Sequence, residues 1–336
     1  MSEAISRCQL DLSGSIVLTE AASGAYVVTP VLAAMAGAEQ VYALTRSSRY
    51  GTVEEIKAET FRLAEAAGQR QRIEVISEKS QKIFSQADII TNSGHLRPLD
   101  AEMLSWTKPT AVIPLMFEAW EFRPEDIDLE ACWQQGIPVA GTNERHPAID
   151  VFSFLGCMAV KLLWDAGVAV YGSKVLLLCD NPFRSFLMKG LTQAGARIEV
   201  ADCLDSVSKM EPKDAILVAL QPQASPVISA VEANLISECY PGTVAVQFWG
   251  DVDRTALAQA GVPYWPVEAP PLGHMAVLPS ALGPEPVVRL QAGGLKVAEI
   301  MYRVRVSGSR AKGWPEAIQA AVDSGFGQAL DFVKQT

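Results

Sequence analysis

Three histidines stand in this chain, His95, His146 and His274, and each falls in a polar loop between apolar runs. His146 sits in Glu144-Arg145-His146-Pro147. There a carboxylate can orient an imidazole poised to titrate near neutral pH, and an arginine can grip an anionic group. His95 closes Asn92-Ser93-Gly94-His95, directly after an apolar run. A further segment, Phe117-Glu118-Ala119-Trp120-Glu121-Phe122-Arg123, gathers aromatics, two carboxylates and an arginine. That composition suits a binding loop, and equally a packed lid or a dimer contact. His146, Glu144 and His95 are therefore the acid–base candidates, and Arg123, Arg145 and Glu118 the substrate-binding ones. No His-x-x-x-His or comparable spacing occurs, so no metal is expected. A Gly-x-Ser-x-Gly elbow and a Walker loop are also missing.

A second set of residues could hold phosphate. Residues 15–20 read as a strand, and Glu20-Ala21-Ala22-Ser23-Gly24 leads into an apolar helix over 25–36. Free N–H groups at such a helix start can receive an anion. Residues 40–45 read as the next strand and end in Arg46-Ser47-Ser48-Arg49, where an NADP-binding domain places groups for the 2′-phosphate. Ser23, Gly24, Arg46, Ser47, Arg49, Ser93 and Gly94 are thus candidate contacts for NADP or NAD. A solvated polar loop accounts for each of them taken singly.

The elements needed to position these groups alternate between strand and helix along the chain. Thr52 with Glu55 forms a capping box for a helix over 52–67. Strands follow at 72–77, 87–91, 109–115 and 137–140, with helices at 80–86, after Asp100, and at 129–135. The second half repeats the pattern. A long helix over 148–166 precedes a strand at 174–179, a helix ending near Gly195, and strands at 197–202, 214–220, 243–248 and 262–265. Residues 270–286 form a loop rich in Pro and Gly, suited to a second lid, and helices close the chain at 287–303 and 315–333. Such alternation means parallel sheets covered on both faces. The fold class is α/β, with two Rossmann-like, doubly wound parallel-sheet domains joined by the long helix. Their expected extents are 1–147 and 148–286, with 287–336 packing back as C-terminal helices. Asp126-Ile127-Asp128 with Gly136-Ile137-Pro138 recurs as Asp251-Val252-Asp253 with Gly261-Val262-Pro263, an echo that two similar halves would produce.

Bulk properties narrow the partners. The chain of 336 residues is 49% apolar, enough for two cores, and its formal net charge of −10 disfavours nucleic acid and anionic membranes. Apolar runs stop short of a membrane span, and residues 1–14 carry no basic segment followed by an apolar one, so no signal peptide is expected. Six cysteines without ligand spacing read as free thiols of a cytoplasmic protein. The apolar terminal helices are compatible with a homodimer.

The stretch over 87–202 resembles the D-isomer-specific 2-hydroxyacid dehydrogenases. Asp128-Leu129-Glu130-Ala131, Gly136-Ile137-Pro138-Val139, the long helix after Asp150 and the strand–turn–helix at Lys174 carry the likeness. It implies a substrate-side domain followed by an NAD domain. The family's Gly-x-Gly-x-x-Gly loop falls on Cys179-Asp180-Asn181-Pro182-Phe183-Arg184, with every glycine replaced. Asp202 matches the acidic residue for the ribose, whereas Trp249 and Ser280 stand where the catalytic Arg and His belong. The expectation is an NAD(P)-linked oxidoreductase-like protein acting on a small anionic metabolite in an interdomain cleft. A non-redox ligand-binding protein and a lyase or transferase that reuse the degenerate fold stand beside it.

Overall fold

Val17, Leu18, Val41, Ala43, Ile89 and Ile90 are sealed from solvent, as strands covered by helices on both faces must be. The computed structural model describes residues 1–207, 211–307 and 313–330. The chain forms two compact units, one of residues 1–151 with 284–336 and the other of residues 152–283.

The first unit opens with helix α1 (Ser2–Cys8), strand β1 (Ile16–Glu20) and a 3-10 turn, Gly24–Val27, that runs into α2 (Val28–Met35). Then come β2 (Gln40–Leu44), α3 (Val53–Ala66), β3 (Ile73–Ile76), α4 (Gln81–Phe84) and β4 (Ile89–Ile90). Helix α5 (Ala101–Ser105), β5 (Ile113–Pro114), α6 (Leu129–Gln135) and β6 (Val139–Thr142) complete its first portion. The capping box at Thr52 and Glu55 forms as its sequence dictates, and Asp100 and Asp128 cap α5 and α6. Strands pair in the order β3-β2-β1-β4, and β5 pairs with β6. Parallel bridges Ile89↔Val112 and Asn92↔Leu115 join the two sets. The sequence order across the sheet is therefore 3-2-1-4-5-6, the Rossmann arrangement.

The second unit holds α7 (Phe154–Asp165), β7 (Lys174–Leu178), α8 (Arg184–Gln193), β8 (Arg197–Ala201), β9 (Ala215–Ala219) and α9 (Ala230–Cys239). It ends with β10 (Val244–Trp249), α10 (Arg254–Gln259) and β11 (Tyr264–Trp265). Its parallel sheet runs β11-β10-β9-β7-β8. Counted within the unit this is 2-1-3-4-5, the other common doubly wound order. The chain then returns to the first unit as α11 (Glu285–Val306), α12 (Trp314–Asp323) and β12 (Gly327–Gln328), which pairs antiparallel with β6. The helix expected over 315–333 ends at Asp323, and β12 falls inside that span because its pairing with β6 takes the chain into a strand; Val333 lies outside the described residues.

Three boundaries differ from the sequence reading. Helix α7 starts at Phe154 rather than 148, because Asp150 takes a left-handed φ of 52°, a conformation that stops a helix. The N–H groups of Ile149 and Asp150 both return to the His146 carbonyl at 2.8 Å, closing a turn instead. Helix α1 and strand β12 are too short to show a period, and tertiary contacts make them: Ala4 and Cys8 are buried. The repeated Asp-x-Asp and Gly-x-Pro segments fold alike. Asp128 and Asp253 each cap a helix at 2.9 Å, and Gly136 and Gly261 each end one with a positive φ.

Helices α7 and α8 meet through two glycines. A Cβ on Gly190 would stand 2.4 Å from the Gly156 Cα, backbone against backbone. Gly190→Ala is expected to cost the protein about 1–3 kcal/mol through overpacking, read as a lower urea midpoint with an unchanged slope. An unaltered midpoint would contradict this contact.

Candidate functional site

In an open α/β sheet ligands bind beyond the carboxyl ends of the strands, where the order of strands reverses. In the first unit that point lies between β1 and β4. Strand β1 ends at Glu20, and β4 continues through Asn92 to a 3-10 turn over Gly94–Leu96. The Glu20 carboxylate accepts the His95 N–H at 3.1 Å and lies 3.9 Å from its Nε2. Gly94 takes a left-handed φ of 36°, and a Cβ there would stand 1.8 Å from that carboxylate, so a side chain would strain the backbone and oblige the carboxyl to move. Burial, partly offset by the His95 N–H, raises the Glu20 carboxyl above its ordinary pKa. On the other face a hydroxyl chain runs from Thr19 to Thr91 to Ser93, each step 2.8 Å. Asn92 is wholly buried, and both atoms of its side-chain amide lack a partner.

Beside this crevice the ends of β5 and β6 bring carboxylates together. Glu118, 1% exposed, accepts the Trp120 indole N–H at 2.5 Å and the Gln328 amide at 3.3 Å, with Arg145 at 3.5 Å. Gln328 also accepts the Ala119 N–H at 2.9 Å, so β12 pins the 117–123 segment from 210 residues away. Glu121 accepts the Glu118 N–H at 3.3 Å. Burial and the Glu118 charge push its carboxyl up to about 7, although its side chain still meets solvent. Burial, then the Glu121 and Glu118 charges, holds Glu144 well above the ordinary carboxylate range. Tyr26, in the turn after β1, is raised by burial and by Glu144, Glu121 and Glu20 in turn. Tyr26 thus feels the charges of Glu20, Glu121 and Glu144, and Glu121 in turn acts on Glu144. Both carboxyls hold protons more tightly than an ordinary glutamate, and that of Glu121 is pushed up to about 7, a shift of the kind general acid–base chemistry uses.

The expected site residues divide accordingly. Glu118, Glu144 and Arg145 come together, and the Arg123 charge reaches Glu121. His95 joins the β1/β4 crevice with Ser93 and Gly94. His146 serves the turn before α7. Its ring stacks on Phe326 at 3.8 Å, and its Nδ1 accepts the Ala148 N–H at 3.2 Å, which places the ring proton on Nε2. Burial lowers its pKa, favouring the neutral ring. Ser23 and exposed Gly24 precede the 3-10 turn at β1. Arg46, Ser47 and Arg49 are exposed beyond β2, with Arg49 over the Tyr50 ring at 4.7 Å and Ser47 accepting the Val53 N–H at 3.3 Å. Glu20, Tyr26, Asn92 and Glu121 went unselected from sequence, as did Lys79. The Lys79 ammonium donates to the Leu96 and Pro98 carbonyls at 2.8 and 2.9 Å, and burial and then the Arg46 charge lower its pKa. A groove of about 360 Å³ between the caps of α5 and α6 has Asp100, Glu125 and Asp128 in its wall and none of the crevice residues.

In the second unit the corresponding point, between β7 and β9, is laced shut. The Asn181 amide donates to the Ala219 carbonyl at 2.7 Å, and Asp180 accepts the Gln221 N–H at 2.9 Å. Arg184 binds the Cys179 carbonyl and pairs with Asp202, occupying the acidic side chain that matches a ribose ligand. Trp249 is 8% exposed, donates to the Gly273 carbonyl at 3.0 Å and packs on Phe183. It is a core residue.

No protein-family model and no curated protein matches the chain. Solved structures do. A dipicolinate synthase chain from Bacillus halodurans is 12% identical with a TM-score of 0.53, over 84% of this chain and 96% of that one. Its counterpart from Bacillus subtilis, also a dipicolinate synthase chain, is 12% identical with a TM-score of 0.54, over 86% and 96%. An NAD-dependent formate dehydrogenase from Staphylococcus aureus, in complex with NAD, is 15% identical with a TM-score of 0.49, over 86% and 94%. The likeness to the two dipicolinate synthase chains bears out the α/β fold expected from the sequence.

The carboxylate cluster makes stability depend on pH. Glu121 and Glu144 bind protons more tightly folded than unfolded, so their contribution is full below the ordinary value of 4.5. It is lost for Glu121 as pH rises through about 7. Glu121→Gln should therefore flatten the fall in urea midpoint between pH 4.5 and 8, at the upper end by the most. Parallel curves for the variant and the parent would contradict the cluster.

Proposed function

We propose that the first unit binds an NAD(P)-type dinucleotide across the carboxyl ends of β1, β2 and β4, and that the chain is an oxidoreductase acting on a small metabolite. The convergence of Glu20, Tyr26, Glu121 and Glu144 beside a Rossmann-order crevice carries this reading. The residues present suit the group. Gly24 leaves the start of the 3-10 turn open, and Arg46 with Lys79 concentrates positive charge beyond β2 and β3, where a 2′-phosphate would neutralise it. When bound there, the dinucleotide supplies hydride transfer.

The chain's own groups handle the proton and the substrate. Glu144, whose carboxyl burial and the neighbouring carboxylates hold well above its ordinary range, donates, and Glu121, titrating near 7, accepts. Arg123 and Arg145 take an anionic group of the substrate. The surrounding carboxylates confine that group to the arginine side and favour a hydroxyl or amine at the reacting end. His146 positions the turn that carries Glu144 and Arg145, and His95 orients Glu20. In this reading the cofactor works in the first unit, in place of the second-unit site that the family resemblance implies.

A second reading, a ligand-binding protein without hydride chemistry, draws on two observations. The first turn, Glu20-Ala21-Ala22-Ser23-Gly24, keeps a single glycine, and the second unit's crevice is closed by its own side chains. Calorimetry with NAD, NADH, NADP and NADPH separates the two. Tight binding of a phosphorylated cofactor is expected, with Arg46→Ala weakening NADP about tenfold, a charge-assisted contact's worth, and leaving NAD unchanged. Equal effects on NAD and NADP would remove Arg46 from the site, and no binding of any of the four would retire the oxidoreductase reading.

A further inference from the structure

Asn92 is the one residue among those described whose side chain is wholly buried with both amide atoms unpartnered. A buried amide left unpaired is costly, and a chain that keeps one gains something elsewhere. Its place in the sheet says what. Leu18 pairs with Ile90 and the Thr19 and Thr91 hydroxyls meet at 2.8 Å, so two residues past Leu18 and Ile90 the pair is Glu20 and Asn92. Side chains alternate along a strand, which puts Glu20 and Asn92 on one face, at the ends of adjacent strands. Glu20 is 15% and His95 26% exposed at the side chain, so this end of the sheet reaches solvent, whereas Asn92 beside Glu20 is wholly buried.

The amide offers an N–H donor and a C=O acceptor side by side, and the Glu20 carboxyl adds a second acceptor next to them. An apolar group would leave the amide unpaired, and an anion would meet the carboxylate. Two vicinal hydroxyls, each able to donate and accept, answer all three functions. Gly94 matters here because its missing Cβ lets the carboxylate lie against the chain two residues past Asn92. We infer that Asn92 and Glu20 form a recognition pair for the vicinal hydroxyls of a ribose, with the entering sugar displacing the Glu20 carboxyl from Gly94. The inference rests on the dinucleotide reading only for which molecule carries that ribose.

The test uses the full chain and the variant Asn92→Leu, close in volume and free of polar atoms. Without ligand the variant should melt about 3 °C higher, since the unpaired amide is gone. Its Kd for NADP or NAD should be at least about tenfold weaker, one hydrogen-bonded group's worth. Asn92→Ser, which cannot span two hydroxyls, should show the same loss of affinity and covers the case in which the leucine is not accommodated. ADP-ribose and free D-ribose are run alongside. If the parent ignores both dinucleotides but binds ADP-ribose or D-ribose, and Asn92→Ser abolishes that, the oxidoreductase reading falls while the recognition pair stands. If no probe binds the parent, or if both variants bind within twofold of it, the pair is overturned. A lower melting temperature for Asn92→Leu, with binding by Asn92→Ser intact, overturns it as well.

Discussion

The Glu20 carboxylate lies so close to the chain at Gly94 that a Cβ there would stand 1.8 Å from its oxygen. The geometry where β1 and β4 end follows from seating that group. It caps β1 at the point where strand order reverses, it receives the His95 N–H, and it fixes the turn that follows β4. Lys79 holds the next stretch through the Leu96 and Pro98 carbonyls. A partly buried carboxylate at this position is expensive unless it is hydrogen-bonded or protonated, and the structure supplies one N–H and a raised pKa. The ends of β1 and β4 thus carry a polar group that a purely structural sheet end would not need.

Carboxylates gather around it rather than disperse. Glu118 is neutralised by Arg145 and hydrogen-bonded by Trp120 and Gln328, so it anchors the 117–123 segment. Glu121 and Glu144 answer the crowding with carboxyls raised above their ordinary range. The second unit shows the opposite arrangement at its own reversal point, where Asp180, Asn181 and Arg184 satisfy one another and the neighbouring carbonyls. One sheet end consumes its polar groups internally, and the other leaves Asn92 unpaired and its carboxyls shifted. That asymmetry favours the first unit as the seat of the chemistry.

Much of this fold was legible because periodicity and caps are local signals. The Thr52 box, the Asp100 and Asp128 caps and the apolar strands report themselves within a few residues. The Asp150 turn was not, because an ordinary residue adopts a left-handed conformation there, next to an Ile149 that packs against distant Gly293. Site residues divide the same way. Glu144, Arg145 and Glu118 stood out as charged groups in aromatic or basic company. Glu20 and Asn92 read as the last polar residues of two separate strands, and only the β1–β4 register sets them side by side. Gln328, 210 residues from Glu118, carries no local sign of its role. His146 misled for the converse reason, since a histidine between a carboxylate and an arginine is also a good stacking partner for Phe326.

Hydrogen–deuterium exchange on the full chain, with and without saturating NADP, tests most directly whether the first unit is the working half. The expected result is slowed exchange over residues 20–27, 45–50 and 91–96, with residues 179–184 unchanged. Protection confined to 179–184 and the end of β8, with the first unit unaffected, would contradict it and return the nucleotide to the second unit.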